Sequence, residues 1–151
     1  MVASVGRDVA VEFAIAKEDA TIGSLSFQSL GMVRSKKGPS VKWADADTTA
    51  DKSPQFTRTS LVTFKDITFG GDGVAYSDAV FNQKTLKAHV ANPGSATDNQ
   101  PKIWWRVTEQ DGSQWVGPAI MLSWESEAPY DGAVTFSFDS KSNGAWTFTP
   151  T

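Results

Sequence analysis

Between Ala133 and Thr149 apolar and polar residues alternate with the period of a half-buried strand, and no other stretch limits the possible folds so tightly. Val134, Phe136 and Phe138 fall on one side and Thr135, Ser137 and Asp139 on the other, and Trp146 and Phe148 resume the pattern after Ser140-Lys141-Ser142-Asn143-Gly144. That interruption is rich in turn formers, and Asn143-Gly144 offers the positive φ of a tight or bulged hairpin. The predicted structure is an antiparallel hairpin whose aromatic face, Trp146 and Phe148 included, closes a core.

Upstream, the same period marks Val9, Val11, Phe13 and Ile15; a looser strand is expected around Phe27 to Val33, and strand-like character resumes from Leu61 to Phe69, ending at the breaker Gly70-Gly71-Asp72-Gly73. Ile103, Trp105 and Val107 define another strand; Asp111-Gly112 turns the chain, and Val116 to Trp124 returns with Ile120, Leu122 and Trp124 on one face. Residues 77–91 read as a helix, capped by Ser77 or Asp78, striped by Ala79, Leu86 and Val90, and stopped by Asn92-Pro93-Gly94. Residues 34–58 are polar apart from Val41, Trp43 and Phe56, and read as an extended loop that folds on a partner. With 151 residues and no internal repeat, the chain is expected to be a single domain, 1–151. Its fold class is mainly β: an antiparallel sandwich or barrel-like domain with one flanking α-helix and a long projecting loop.

Composition removes several function classes. There is no cysteine, so disulfides and thiol chemistry are absent. Asp8, Glu12, Glu18 and Asp19 interrupt any apolar signal core before Ala20, and no membrane span follows; a protein made and kept inside a cell is expected. A net charge of −3, with Arg34, Lys36 and Lys37 as the only basic cluster, opposes nucleic-acid recognition.

Catalytic and metal motifs fail on inspection. His89 is the only histidine, lies among Lys84 and Lys87 on the polar side of the predicted helix, and has no nucleophile elbow to serve. Glu125 and Glu127 share a strand face, whereas a glycosidase pair must flank its sugar. Asp45, Asp47 and Asp51 resemble the start of a calcium loop, but Ala50 replaces the turn glycine and Phe56 the bidentate acid. The 70–73 glycine run lacks the Lys-Ser/Thr of a phosphate loop, which leaves a flexible strand-to-helix joint. No enzyme activity, cofactor, metal or small-molecule substrate is expected.

Most aromatics fit core positions, but Trp104 and Trp115 point away from Trp105, as a carbohydrate platform or a subunit interface would require. Trp43, alone in a polar segment, suits an anchor buried in a neighbour. The element order, closing in the alternating run, the Ser/Asn/Gly turn and Gly144-Ala145-Trp146-Thr147-Phe148-Thr149-Pro150, resembles the tail tube (major tail) proteins of long-tailed bacteriophages. That resemblance implies a structural virion protein, assembled in the host bacterial cytoplasm, whose hexameric rings stack into a hollow conduit for DNA. Its partners would be copies of itself, other tail proteins and DNA in transit, with no membrane. It also implies that the 34–58 segment reaches a neighbouring subunit, with Lys36, Lys37 and Lys52 meeting acids, Asp45, Asp47 and Asp51 meeting bases, and Trp43 as apolar anchor; Phe56, Trp104 and Trp115 complete the expected interface. Glu12, Asp66 and Asp139 are the expected lumen-facing acids, where scattered carboxylates would keep DNA from adhering. The alternative reading is a carbohydrate-binding β-sandwich module, apt for six tryptophans.

Overall fold

The structure, a computed structural model, describes residues 9–48, 58 and 60–151. Eight antiparallel strands form one sheet in the order β2-β1-β5-β6-β7-β4-β3, with β8 also beside β6. These are β1 (Ala10–Ala14), β2 (Gln28–Ser29), β3 (Val33–Asp47), β4 (Ser60–Val74), β5 (Lys102–Thr108), β6 (Gln114–Glu127), β7 (Thr135–Ser142) and β8 (Thr147–Thr149), with helix α1 (Gln83–Ala91) between β4 and β5.

The sheet folds over β6. The first half of β6 pairs with β5, and its second half pairs with β7, so this strand belongs to both layers. Trp105 on β5 thereby meets Phe69 on β4, although β6 and β7 separate those strands in the sheet; the ring centroids are 5.0 Å apart, edge to face. Phe138 stacks on the same indole at 5.4 Å, and Phe13 approaches it edge-on at 6.5 Å. Such pairs add about 0.5–1.5 kcal/mol each beyond the area they bury. The indole also needs an acceptor. Its Nε1–H donates to Ser140 Oγ at 2.9 Å, and Ser140 Oγ–H donates onward to the Phe69 carbonyl at 2.7 Å, a relay that joins β5, β7 and β4 inside the core.

The helix seals one side of this core with Leu86, Gln83 and His89. Gln83 acts as a polar staple: its Oε1 accepts the Tyr76 N–H, and its Nε2 donates to the carbonyls of Gly31 and Val74. His89 is buried, not on the polar side, and its Nε2 lies 2.8 Å from the Lys102 carbonyl, which requires the proton on that nitrogen. Helix α1 begins at Gln83, after a 3-10 turn at Ala79–Phe81 and a left-handed Asn82, so it is shorter than the expected 77–91.

Three further expectations are corrected. The terminal strands do not form a hairpin: β7 pairs with Ala119 to Glu127 and β8 with Gln114 to Val116, so both run in the same direction along one side of β6. The interruption at residues 143–146 is a detour around Pro118, which has no N–H for a ladder. The Pro118 carbonyl accepts instead from Asn143 N–H and Trp146 Nε1–H. Trp146 lies over Gly117, where a Cβ would come within 2.1 Å of the indole, so only glycine admits the ring. On β6 the buried residues are Gly117, Pro118, Ala119 and Met121, whereas Leu122 is exposed; a register shift between Met121 and Ser123 then returns Trp124 to the core side.

The third correction concerns residues 34–58 and the 70–73 glycines. Val33–Asp47 is a strand paired with β4 along its length, and the glycine run lies inside β4. A Cβ on Gly71 would come within 2.5 Å of the Ser35 carbonyl, so the glycine serves close strand approach and not a flexible joint. Strand β3 looks like a loop in sequence because nearly all of it is exposed: its pairing comes from β4, not from a buried face of its own.

Replacing Ser140 with alanine strands the buried Trp105 N–H, and we expect a loss of about 1–3 kcal/mol in urea unfolding, with no change in strand content by circular dichroism.

Candidate functional site

Two surfaces stand out. The first is the distal part of the β3/β4 ribbon. Thr68 is the last β4 residue paired with β7, so toward Ser60 the ribbon has no third strand among the described residues. At about 3.3 Å per residue, it projects roughly 26 Å beyond the sheet. A free two-stranded ribbon is marginal in water. This one also exposes large apolar groups: Val41, Trp43, Leu61, Val62 and Phe64, the last at 76%. Trp43 is half exposed, with Lys65 Nζ 5.4 Å from its ring centroid. Asp45 lies opposite Val62, Asp47 opposite Ser60, and Asp66 opposite Lys42. Asp51, Lys52 and Phe56 lie outside the described residues. Lys36 sits opposite Gly71, where burial pushes its ammonium pKa down, and Lys37 is exposed opposite Gly70.

The second surface is the outer face of β6, β7, β4 and β3. Register places Glu125, Ser137, Asp72 and Ser35 in one cross-sheet row, and Ser123, Asp139, Gly70 and Lys37 in the next. They line a shallow trough of about 340 Å³. Its floor is small and polar, and its charges are chiefly carboxylates. Of the three expected lumen acids, Asp139 is on this face, Asp66 is on the arm, and Glu12 is elsewhere. Glu12 is bound by the Arg106 guanidinium, with Nε 3.1 Å from Oε1 and Nη2 on Oε2, and Arg106 in turn covers the Phe27 ring at 4.3 Å. Its charge is thus neutralised within the chain.

Trp104 and Trp115 do not form the expected surface pair. Trp104 is 5% exposed, and its Nε1 donates to the Lys17 carbonyl at 2.7 Å. Trp115 is half buried against the core, donates to Glu109 Oε1, and packs on Phe148 at 4.6 Å. Phe148, expected in the core, is itself 47% exposed. A carbohydrate platform has no basis here. No group of three or more possible metal ligands occurs among the described residues, and no helix there is long and apolar enough to cross a membrane.

The residues that sequence patterns missed are Leu61, Val62 and Phe64 on the arm and Asp72 on the polar face. Consecutive Leu61-Val62 with Phe64 breaks the alternation of a one-faced strand, which was the available signal.

A folded antiparallel sheet with a free apolar arm and a broad polar face is the build of a subunit that completes itself in an assembly. A family model described as phage tail tube protein matches residues 4–148, and the chain belongs to that family, a structural component of the phage tail and hence of the virion. Among solved structures it is similar to a subunit from the tail of an empty gene transfer agent particle, determined with C6 symmetry, at 19% identity and a TM-score of 0.72, covering 97% of this chain and 99% of that one. The SPP1 tail tube gives 19% identity and a TM-score of 0.56, covering 97% and 79%. A chain from the anti-feeding prophage baseplate gives 7% and 0.63, covering 99% and 97%. These likenesses show a shared fold. Among curated proteins none matches.

The segment over Trp104 is fixed by exposed ion pairs: Lys17 to Asp98 at 3.0 Å, and Lys102 to Glu18 and Asp98 at 3.0 and 3.6 Å. A backbone hydrogen bond and then Lys102 hold the Glu18 pKa below its usual 4.5, and Lys17 chiefly holds Asp98 below 3.8. Lowered carboxylate pKa values contribute stability that is complete above the unfolded values and is lost as pH falls through the folded ones. The melting temperature is therefore expected to drop on acidification below about pH 4, less steeply in Asp98→Asn, as a calorimetric pH series would show.

Proposed function

We propose that this chain forms closed hexameric rings that stack into the tail tube, with the β3/β4 arm crossing to a neighbouring subunit and the carboxylate face turned to the lumen. The arm carries this reading: an exposed apolar ribbon that no part of its own described chain covers. A ring contact is head-to-tail and needs two different surfaces on each subunit, and the same kind of contact left open gives a stack. The sixfold symmetry of the gene transfer agent tail, built on a chain of this fold, supports six subunits per ring. Trp43, Val62 and Phe64 anchor the arm, and Asp45 with Lys42 and Lys65 gives it charge register.

Asp72, Glu125 and Asp139 would repel a phosphate backbone, and they outnumber the one cation of the trough, Lys37. DNA then slides instead of adhering. The chain acts as a scaffold with other tail proteins at the tube ends and performs no catalysis; assembly takes place in the host cytoplasm.

Two measurements test this. Val62→Asp with Phe64→Asp removes exposed apolar surface, so the variant should melt within about 0.5 kcal/mol of the parent. It should sediment as a monomer under conditions where the parent forms tubes visible by electron microscopy; a variant that still polymerises refutes the role of the arm. Separately, Glu125→Lys with Asp139→Lys should leave tubes intact but make them retain DNA, with retention falling steeply as salt rises. Equal DNA retention by both tubes would place this face away from the lumen.

A further inference from the structure

At the end of β4 opposite the arm lies a pocket of about 370 Å³, lined by Tyr76, Lys84, Lys87, Trp124, Val134 and Phe136. It is the most apolar of the larger surface depressions, and its volume lies near the lower end of those that accept a ligand-sized group. Trp124 and Phe136 stack in it with ring centroids 4.9 Å apart and planes 4° from parallel. The Trp124 Nε1–H is buried and has no acceptor among the described residues. Lys84 and Lys87, three apart on α1 and so on one helical face, overhang the opening, and neither is in an ion pair there. The chain thus builds a pocket with an aromatic floor and a cationic rim and puts nothing in it.

The arm carries the complementary group. Phe64 is its most exposed aromatic, Val62 stands two residues before it, and the residue paired with Val62 is Asp45. That is an apolar plug with a carboxylate beside it. Plug and pocket lie at opposite ends of one strand: Val62 is near the start of β4, and the pocket residue Ala75 directly follows its end. Thirteen strand residues at about 3.3 Å each keep them roughly 40 Å apart, so one chain cannot bring its own arm to its own pocket. A contact between them joins two copies head-to-tail, the kind of contact that closes as a ring or repeats as a stack.

We infer that the helix-flanked pocket receives the arm of the next subunit, Phe64 and Val62 packing on Trp124, Tyr76 and Val134 while Asp45 pairs with Lys84 and Lys87. The inference rests on the tube-forming role above and names the partner surface of the arm. Buried aromatic anchors surrounded by charge pairs are the usual composition of an interface centre.

Photocrosslinking reads the contact directly. The full chain with Phe64→benzoylphenylalanine, mixed as isotopically heavy and light protein, is assembled, irradiated and digested. Heavy–light crosslinks from position 64 to peptides containing residues 76–87 or 124–136 are expected. Crosslinks to another part of the second copy, or within one copy only, overturn the assignment. A charge exchange supplies the second measurement. Asp45→Lys alone, and Lys84→Glu with Lys87→Glu alone, should each lower the polymerised fraction about tenfold, and the combined variant should recover most of it. No recovery in the combined variant counts against the pairing. If the parent chain forms no tubes, the tube-forming role fails and this inference with it; if tubes form and the crosslinks lie elsewhere, only the pocket assignment fails.

Discussion

One buried indole sets the shape of the molecule. A twisted antiparallel sheet has no intrinsic reason to bring β5 against β4, which are separated by two strands. Trp105 supplies that reason by filling the space between the layers with an aromatic cluster and by donating its N–H through Ser140 to the backbone of β4. The hydrogen-bonded relay restricts which ring orientation fits, because a buried N–H without an acceptor is costly. Strand β6 makes the fold possible by serving both layers, and its register shift after Met121 lets Ala119, Met121 and Trp124 all face the core from one strand.

From this follows the division of labour along β4. Its C-terminal half is clamped between β7 and β3 and carries Phe69 into the core, while its N-terminal half continues outward with only β3 beside it. A rigid root with an unsupported tip is a lever. The root fixes the direction of the arm, and the exposed apolar side chains at the tip give it a use only when another surface covers them. The edge strand β3 is broken by register shifts near Ser35, Pro39 and Ala44 and carries Lys36, Lys37 and Lys42. Such irregularity discourages indiscriminate edge pairing.

Much of this was legible in the sequence, for a physical reason in each case. Strands with one buried face announce themselves by alternation, as do Val11-Glu12-Phe13 and Phe136 to Phe138; Ile103, Trp105 and Val107 alternate too, although Trp104 is buried on the other face. Strand β3 does not, because nearly all of it is exposed, and its strand character is imposed by hydrogen bonding to β4. The 143–146 interruption has the composition of a hairpin turn, yet Pro118, a residue far away in sequence, decides that the chain continues straight on. His89 and Trp104 were misplaced for a related reason: each is buried by a segment, the Lys102 carbonyl or Lys17, whose position no local pattern reveals. On the arm, Trp43 and Asp45 were visible as a large apolar residue and an acid in a polar stretch. Val62 and Phe64 were hidden because the strand reading of Leu61 to Phe69 did not say which face each side chain takes.

The central claim is that the arm and the carboxylate face exist to make a tube. Cryo-electron microscopy of the purified chain, polymerised without other tail proteins, bears on both at once. A hollow stack of sixfold rings is predicted, with density for the β3/β4 ribbon crossing to a neighbouring subunit and with Asp72, Glu125 and Asp139 on the inner wall. A chain that stays monomeric at high concentration, or a tube whose arms lie free in solvent and whose inner wall is formed by another face, would contradict the account.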